Sequence, residues 1–320
     1  MVAAGRIAVT GATGFIGSAL CRHLQSEGRV VRPIGRNAGG ASDAFGVGDI
    51  GAGTDWTAAL AAVDCVVHCA GRAHVLRETA IDPLAEFRRV NVEGTRRLAE
   101  QAVAAGVRRF VFLSSIGVLG VHTNDRVPFR HDEPPGPVEP YAVSKLEAER
   151  ELSGIAARTG LELVIVRPPL VYGPGVGANF LRLVNLVDSG WPLPFGAIQS
   201  QRSLVGMDNL VDLLMRCTDH PAAVGETFLV SDGQDIPLPE LIRKLAHHLG
   251  QSARLVSVPQ GGLLALARLT GKGRSVERLA SALQVDIGHT RRTLAWEPPM
   301  SIDRGLAATA HWYRVKARRT

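Results

Sequence analysis

Residues 6–17 read RIAVTGATGFIG. A β-branched apolar run ends in Gly11, Gly14 and Gly17, three residues apart, and passes at once into a helix-period segment over 15–27. Lacking Cβ atoms, these glycines let the backbone turn tightly, approach a pyrophosphate and pack a helix onto a sheet. The helix N-terminus offers free N–H groups and a partial positive charge. A dinucleotide is the natural ligand, with Gly11, Thr13, Gly14, Phe15, Ile16 and Gly17 as its candidate contacts.

Outward from that turn, strand candidates at 6–10 (RIAVT), 30–34 (VVRPI), 65–68 (CVVH), 110–113 (FVFL) and 163–166 (LVIV) alternate with helix candidates at 15–27, 84–105 and 141–159. This order predicts an α/β fold, a doubly wound parallel sheet with helices on both faces and ligands beyond the carboxyl ends of the strands. Beyond about residue 175 the pattern loosens into Pro- and Gly-rich stretches. Residues 1–175 are therefore read as the dinucleotide-binding domain, with some segments returning later. Residues 176–320 are read as a smaller, mixed α/β substrate-binding region.

A site that prefers NAD ends its second strand in Asp or Glu, about 20 residues past the glycines, to hold the ribose 2′-hydroxyl. Here that place is Gly35, followed by Arg36, with Arg32 nearby. An uncancelled guanidinium would pair with a 2′-phosphate, so NAD or NADP is expected, with NADP(H) slightly favoured.

Tyr141 and Lys145, in YAVSK, project from one face of a helix. A phenol titrates near 10 in water, and a neighbouring ammonium with an oxidised nicotinamide is expected to lower it towards neutrality. Ser115, at the end of FVFLSS, stands where it could hydrogen-bond a reacting carbonyl or hydroxyl. Together they form a set for moving a proton while a hydride moves.

With these motifs the chain resembles the extended short-chain dehydrogenase/reductase family, among its NAD-dependent epimerase/dehydratase members acting on nucleotide sugars. The matching stretches are TGATGFIG, GDI at 48–50, VVHCAG at 66–71, NVEGT at 91–95, FLSS at 112–115, YAVSK at 141–145, RPPLVYGPG at 167–175 and RSLVGMDNLV at 202–211. They run in family order over about 6–235, and RRTLAWEPPMSIDRGLAAT at 291–309 extends the likeness almost to the end. The resemblance implies a Rossmann fold, Asp49 and Ile50 beside the adenine, Ala70 and Gly71 bordering the cofactor, and Pro168 to Val171 passing the nicotinamide. It implies Ser115, Tyr141 and Lys145 as the catalytic set, and Asn179 and Arg202 on the substrate's diphosphate. Asn91 is read as a brace for the neighbouring strand.

Two departures narrow the chemistry. Where the family's dehydratases place Asp and Glu after the catalytic hydroxyl, this chain has Ile116 and Gly117, so carboxylate-driven elimination is not expected. Leu119 replaces the usual tyrosine of VYG. The leading expectation is an NAD(P)-dependent reductase of a 4-keto UDP-(acetamido-)hexose in surface polysaccharide synthesis. The alternative is a UDP-glucose or UDP-N-acetylglucosamine 4-epimerase, which uses the same residues. A non-catalytic dinucleotide-binding sensor is the minor alternative.

Composition excludes other classes. The 320 residues are 46% hydrophobic and 21% charged, an ordinary globular balance without repeats. The charge of +6 is concentrated late, because residues 268–320 carry eleven Lys or Arg against four Asp or Glu. With no nucleic-acid-binding motif, it signals no general polyanion surface. No signal-peptide pattern or membrane-length apolar run occurs, and a cytoplasmic location is expected. The apolar stretch 263–269 is expected to be a core helix. Cys21, Cys65, Cys69 and Cys217 lack metal-ligand spacing and read as buried reduced thiols. No metal is expected. The resemblance implies a homodimer through the helices at 84–105 and 141–159.

Overall fold

The computed structural model describes residues 5–37, 43–73, 81–124, 126–259, 261–263, 265 and 273–317. The first strand, β1 (Ile7–Thr10), leads through the glycine turn into α1 (Phe15–Ser26) and then β2 (Val31–Gly35) and β3 (Phe45–Gly46). The chain then crosses back to β4 (Cys65–His68), β5 (Arg109–Leu113) and β6 (Glu162–Arg167), with a late strand, β10 (Thr227–Leu229), beyond them. The sheet order is β10-β6-β5-β4-β1-β2-β3, and every pairing in it is parallel. Strand order reverses between β1 and β4, where Ile7 pairs with Val31 on one side and Cys65 on the other. This is the topological switch at which a doubly wound sheet opens a crevice.

β1, β4 and β5 are buried along their whole lengths. Continuous apolar runs are what a sheet covered on both faces requires. Val9, Val67 and Val111 face a core with Leu20 and Leu24 of α1 and Leu210 and Leu214 of α7 (Met207–Asp219). Ala8, Val66 and Phe110 face the opposite core, with Leu98 of α4 (Gly94–Ala104) and Leu152 of α5 (Pro140–Thr159).

The helix expected over 84–105 is interrupted. α3 (Pro83–Arg88), capped by Asp82 accepting from the Ala85 N–H at 3.0 Å, gives way to one π-helical turn over Arg89–Glu93 before α4 begins. The wider turn carries buried Asn91, whose Nδ2 donates to the Arg72 carbonyl at 3.1 Å and Ser144 Oγ at 3.0 Å. Asn91 Oδ1 accepts from the Arg72 N–H at 2.8 Å. It braces the chain after β4 against α5, as the sequence suggested.

The later half joins both layers. α7 and β10 complete the main sheet, while β7 (Leu170–Tyr172) pairs in parallel with β9 (Leu204–Gly206), and β8 (Gln201–Arg202) runs antiparallel to β11 (Ile236–Pro237). A third core gathers Tyr172, Phe180 of α6 (Ala178–Asp188), Leu241 and Leu245 of α8 (Leu238–Leu249), and Leu306 of the helix Ile302–Ala317. Tyr172 donates to Asp232 at 2.6 Å, and Asp232 also accepts from Asn209 Nδ2 and the Gly206 N–H, tying this core to the sheet. Of the stretch 263–269, residues 264 and 266–269 lie outside the described residues. No helix among the described residues is long and apolar enough to cross a membrane.

Candidate active site

The glycine turn is fixed by close backbone packing. Gly11 has φ +68°, and a Cβ there would stand 2.9 Å from the Ala70 backbone, while one on Gly17 would lie 2.2 Å from the Gly11 carbonyl oxygen. The Gly14 N–H closes the turn onto the Gly11 carbonyl at 2.8 Å. Gly14 caps α1 without any side-chain bond to its first-turn N–H groups. Those donors face the crevice with the helix's positive end, the arrangement that holds a pyrophosphate. Thr13 lies in the turn, Phe15 and Ile16 open α1, Ala70 after β4 packs against Gly11, and Phe15 packs towards Gly175, where a Cβ would be 3.5 Å from its ring. These residues fit a dinucleotide cofactor.

On the adenine side the two arginines differ from expectation. Arg32 is buried and donates Nη1 to the carbonyls of Ala59 and Ala61 at 3.1 and 2.7 Å, so it ties β2 to α2 (Thr57–Leu60) instead of reaching for a phosphate. Arg36 is not uncancelled, since its Nε meets Asp49 Oδ1 at 2.8 Å with both side chains exposed. Arg36, expected at a 2′-phosphate, is thus coupled to Asp49, expected beside the adenine, and Ile50 packs against Gly94, where an added Cβ would meet Ile50 Cγ2. Gly71 lies beside Asn91, whose Oδ1 would be 3.1 Å from an added Cβ.

Beyond β5 the backbone stays pinned to the neighbouring strand: the Ser114 N–H donates to the Val166 carbonyl at 2.7 Å and the Ile116 N–H to the Pro168 carbonyl at 2.9 Å. Ser115 Oγ accepts from the Gly117 N–H at 3.1 Å. A Cβ at Gly117 would lie 3.3 Å from Ala142 Cβ, so this turn packs directly on the residue after Tyr141. Lys145 Nζ stands 4.0 Å from the centre of the Phe112 ring, and the Tyr141 ring packs edge-on against Phe87. The structure therefore sets the Ser115 turn at the carboxyl end of β5 against the first turns of α5, which carry Tyr141 and Lys145, with its backbone tied to Pro168.

The charge states differ from the sequence expectation. In the field of the described residues burial pushes Tyr141 up to about 12 with no offsetting charge, so the expected lowering would fall to the oxidised nicotinamide. Burial also pulls Lys145 down to about 7, partly opposed by Glu149 and Cys69. Removing water penalises phenolate and ammonium alike, and in the chain's own field that cost exceeds the benefit of proximity. Beside them His68 is fully buried between Thr10 Oγ1 at 2.6 Å and Thr95 Oγ1 at 2.9 Å, and burial lowers it to about 3, so it is neutral. The Cys69 thiol is raised to about 12. The four cysteines are free, and Cys21, Cys65 and Cys217 are buried.

Sequence reasoning missed a buried cluster beneath the set. Glu149 Oε1 accepts from Ser114 Oγ at 2.5 Å and Arg167 Nε at 2.9 Å, and its Oε2 accepts from Arg167 Nη2 at 2.6 Å. The available signal was a carboxylate four residues after Lys145, on the same helix face. Of the expected diphosphate contacts, Asn179 is exposed in the first turn of α6. Arg202 donates Nη1 to the carbonyls of Arg278 and Ser281 at 2.6 and 2.7 Å.

The model of the NAD dependent epimerase/dehydratase family matches residues 7–231. The chain belongs to that family. A UDP-glucose 4-epimerase of Vibrio cholerae is 45% identical over 308 residues, covering 95% of this chain and 94% of the relative. A UDP-glucose 4-epimerase of Mycolicibacterium smegmatis is 30% identical over 98% of this chain and 99% of its own. Among solved structures, MoeE5 in complex with UDP-glucose and NAD superposes with a TM-score of 0.77 at 26% identity, over 98% of this chain and all of its own. The chain is thus an NAD(P)-dependent enzyme of the epimerase/dehydratase type on a Rossmann sheet.

Proposed function

We propose that this enzyme is a UDP-hexose 4-epimerase that interconverts UDP-glucose and UDP-galactose. The observation that carries the reading is the end-to-end 45% identity to the Vibrio cholerae UDP-glucose 4-epimerase. It supports epimerisation over net reduction of a 4-keto sugar, the expectation the sequence put first. The glycine turn with Thr13, Phe15, Ile16, Ala70 and Gly71 would hold NAD, which would accept a hydride from C4 and give it back, so that the cycle would consume no reductant.

In this reading Tyr141 acts as the phenolate, taking the proton from the C4 hydroxyl as the hydride leaves and giving it back when the hydride returns; the Lys145 ammonium and an oxidised nicotinamide would supply the positive charge that offsets its burial. Lys145, one helical turn on, holds positive charge beside the phenolic oxygen, and Ser115 Oγ hydrogen-bonds the C4 oxygen. Ile116 and Gly117 leave the sugar without a neighbouring carboxylate, in keeping with chemistry confined to C4. Asn179 and Arg202 hold the diphosphate, where Arg202 offers Nε and Nη2 besides the Nη1 bound to carbonyls. The packed helices α4 and α5 supply the face of a homodimer.

The test is to incubate purified enzyme with UDP-galactose and no added cofactor. UDP-glucose should accumulate to equilibrium with no net change in nicotinamide absorbance. Strict dependence on added NADPH and a 4-keto substrate would replace this reading with the reductase.

A further inference from the structure

Glu149 has no part in the reaction as drawn, yet it is buried with three polar side chains, Ser114, Arg167 and Lys145, bearing on its carboxylate. One carboxylate is shared by the ends of two adjacent strands: Ser114 follows β5 and immediately precedes Ser115, and Arg167 ends β6 and immediately precedes Pro168. Both neighbours in sequence belong to the proposed site. The same carboxylate projects from α5 one turn beyond Lys145, and its charge acts on Lys145. Glu149 and Arg167 are only 5% and 8% exposed, and Lys145 4%. Three ionisable side chains, two of them basic, thus share one dry compartment around a single acid.

We propose that Glu149 is a positioning residue for the relay, clamping the ends of β5 and β6 to α5 and supplying a fixed negative charge that favours the protonated form of Lys145. This rests on the assignment of Lys145 to the relay. Among the described residues, the other groups facing Lys145 offer no fixed negative charge. From β4, His68 is neutral and the Cys69 thiol, raised to about 12, stays protonated through the working range. From β5, Phe112 offers only its ring face. On α5, Tyr141 is a neutral phenol in the field of the described residues and bears charge only as the base of the reaction, and Arg167 from β6 adds a further cation on the carboxylate.

The chain contains four lysines, so ε-13C-lysine labelling gives four resonances, and Lys145→Arg assigns the one of interest. Its shift is followed against pH in the NAD-loaded enzyme. Glu149→Gln keeps the shape and removes the charge, and the Lys145 midpoint should fall by about one unit, the lower end of what an adjacent opposite charge contributes. A merely structural role predicts the reverse, because loosened packing admits water and moves the midpoint up towards the ordinary lysine value. A rise, or no change, overturns the proposal. Should Glu149→Gln not fold, Glu149→Asp draws the charge back by one methylene and predicts a smaller fall, a rise again being the overturning result.

The alkaline limb of kcat/KM should move the same way. The active form is the ammonium, present below the Lys145 pKa and lost above it, so a lower pKa brings the limb to lower pH. The resonance is read without turnover. A fall in the midpoint in an enzyme that does not interconvert the sugars defeats the proposed reaction and leaves the Glu149 assignment standing. Interconversion with an unmoved midpoint defeats the assignment alone.

Discussion

The crevice carries two ion pairs of similar length and opposite surroundings, one bidentate and buried, the other a single Nε contact at the rim. Arg167 meets Glu149 at 2.6 Å with both side chains under one-tenth exposed, whereas Arg36 meets Asp49 at 2.8 Å with both about three-quarters exposed. In the buried pair each charge has lost its water, so removing one partner strands the other at a cost of about 3–5 kcal/mol. In the exposed pair water and salt replace either partner, and the interaction is worth about 0–1 kcal/mol. Residue type alone makes Arg36 conspicuous and Glu149 ordinary. Burial inverts that ranking, and experiments across the crevice should show dry groups dominating turnover and rim groups only adjusting binding.

The largest effect is expected at the centre of the dry end. Tyr141→Phe removes one hydroxyl and leaves the ring against Phe87, so the proton loses its carrier while the glycine turn is untouched. Turnover should drop by about 10²–10⁴-fold, the span general acid–base catalysis contributes, with NAD affinity within about twofold of the parent enzyme. Isothermal titration and single-turnover assays read the two quantities separately. Unimpaired turnover would remove Tyr141 from the relay.

The next effect lies one layer deeper, at His68. Its folded pKa of about 3 lies below the ordinary 6.5, so below 6.5 the unfolded chain binds a proton that the fold rejects. The stability His68 contributes is complete above 6.5 and drains away as pH falls towards 3. His68→Gln replaces the imidazole with a group that does not titrate. Urea unfolding at pH 7.5, 6 and 4.5 should show the parent protein losing its advantage over the variant as pH drops. A gap independent of pH would mean that His68 is not the group being protonated.

The same contrast explains what could be read from the sequence. The turn at 11–17 and the Tyr141/Lys145 pair were legible because their geometry is local, set by glycine spacing and by one helical turn. The sheet was legible because strands buried on both faces must be continuously apolar. The π-helical turn in 89–93 was not, because its cause is Asn91 reaching partners 19 and 53 residues away in sequence. For Arg202 the resemblance implied a diphosphate contact, and what spacing could not show is that its Nη1 is also held by carbonyls 76 and 79 residues further on. Charge states were least legible, since Tyr141 and Lys145 are governed by loss of water that sequence spacing does not record.

The smallest effect is expected at the rim, and it sharpens the comparison most. If the Arg36–Asp49 pair is as weakly held as its exposure implies, Arg36 can turn from Asp49 to a 2′-phosphate at a cost of about 1 kcal/mol or less. The gain is a charge-assisted, bidentate contact that NAD cannot make. Arg36→Ala should then weaken NADP binding by about tenfold or less, leave NAD binding within about twofold, and shift urea stability by under about 0.5 kcal/mol. Asp49→Asn frees Arg36 and removes a negative charge near the same site, so it should move the NADP-to-NAD ratio the opposite way. Raising the ionic strength should shrink both differences, because exposed charges are screened within about 8–10 Å while the Glu149 compartment is not. A large, salt-insensitive loss of both cofactors in Arg36→Ala would mean that the rim pair is structural, and that exposure is a poor guide to what a charge does in this crevice.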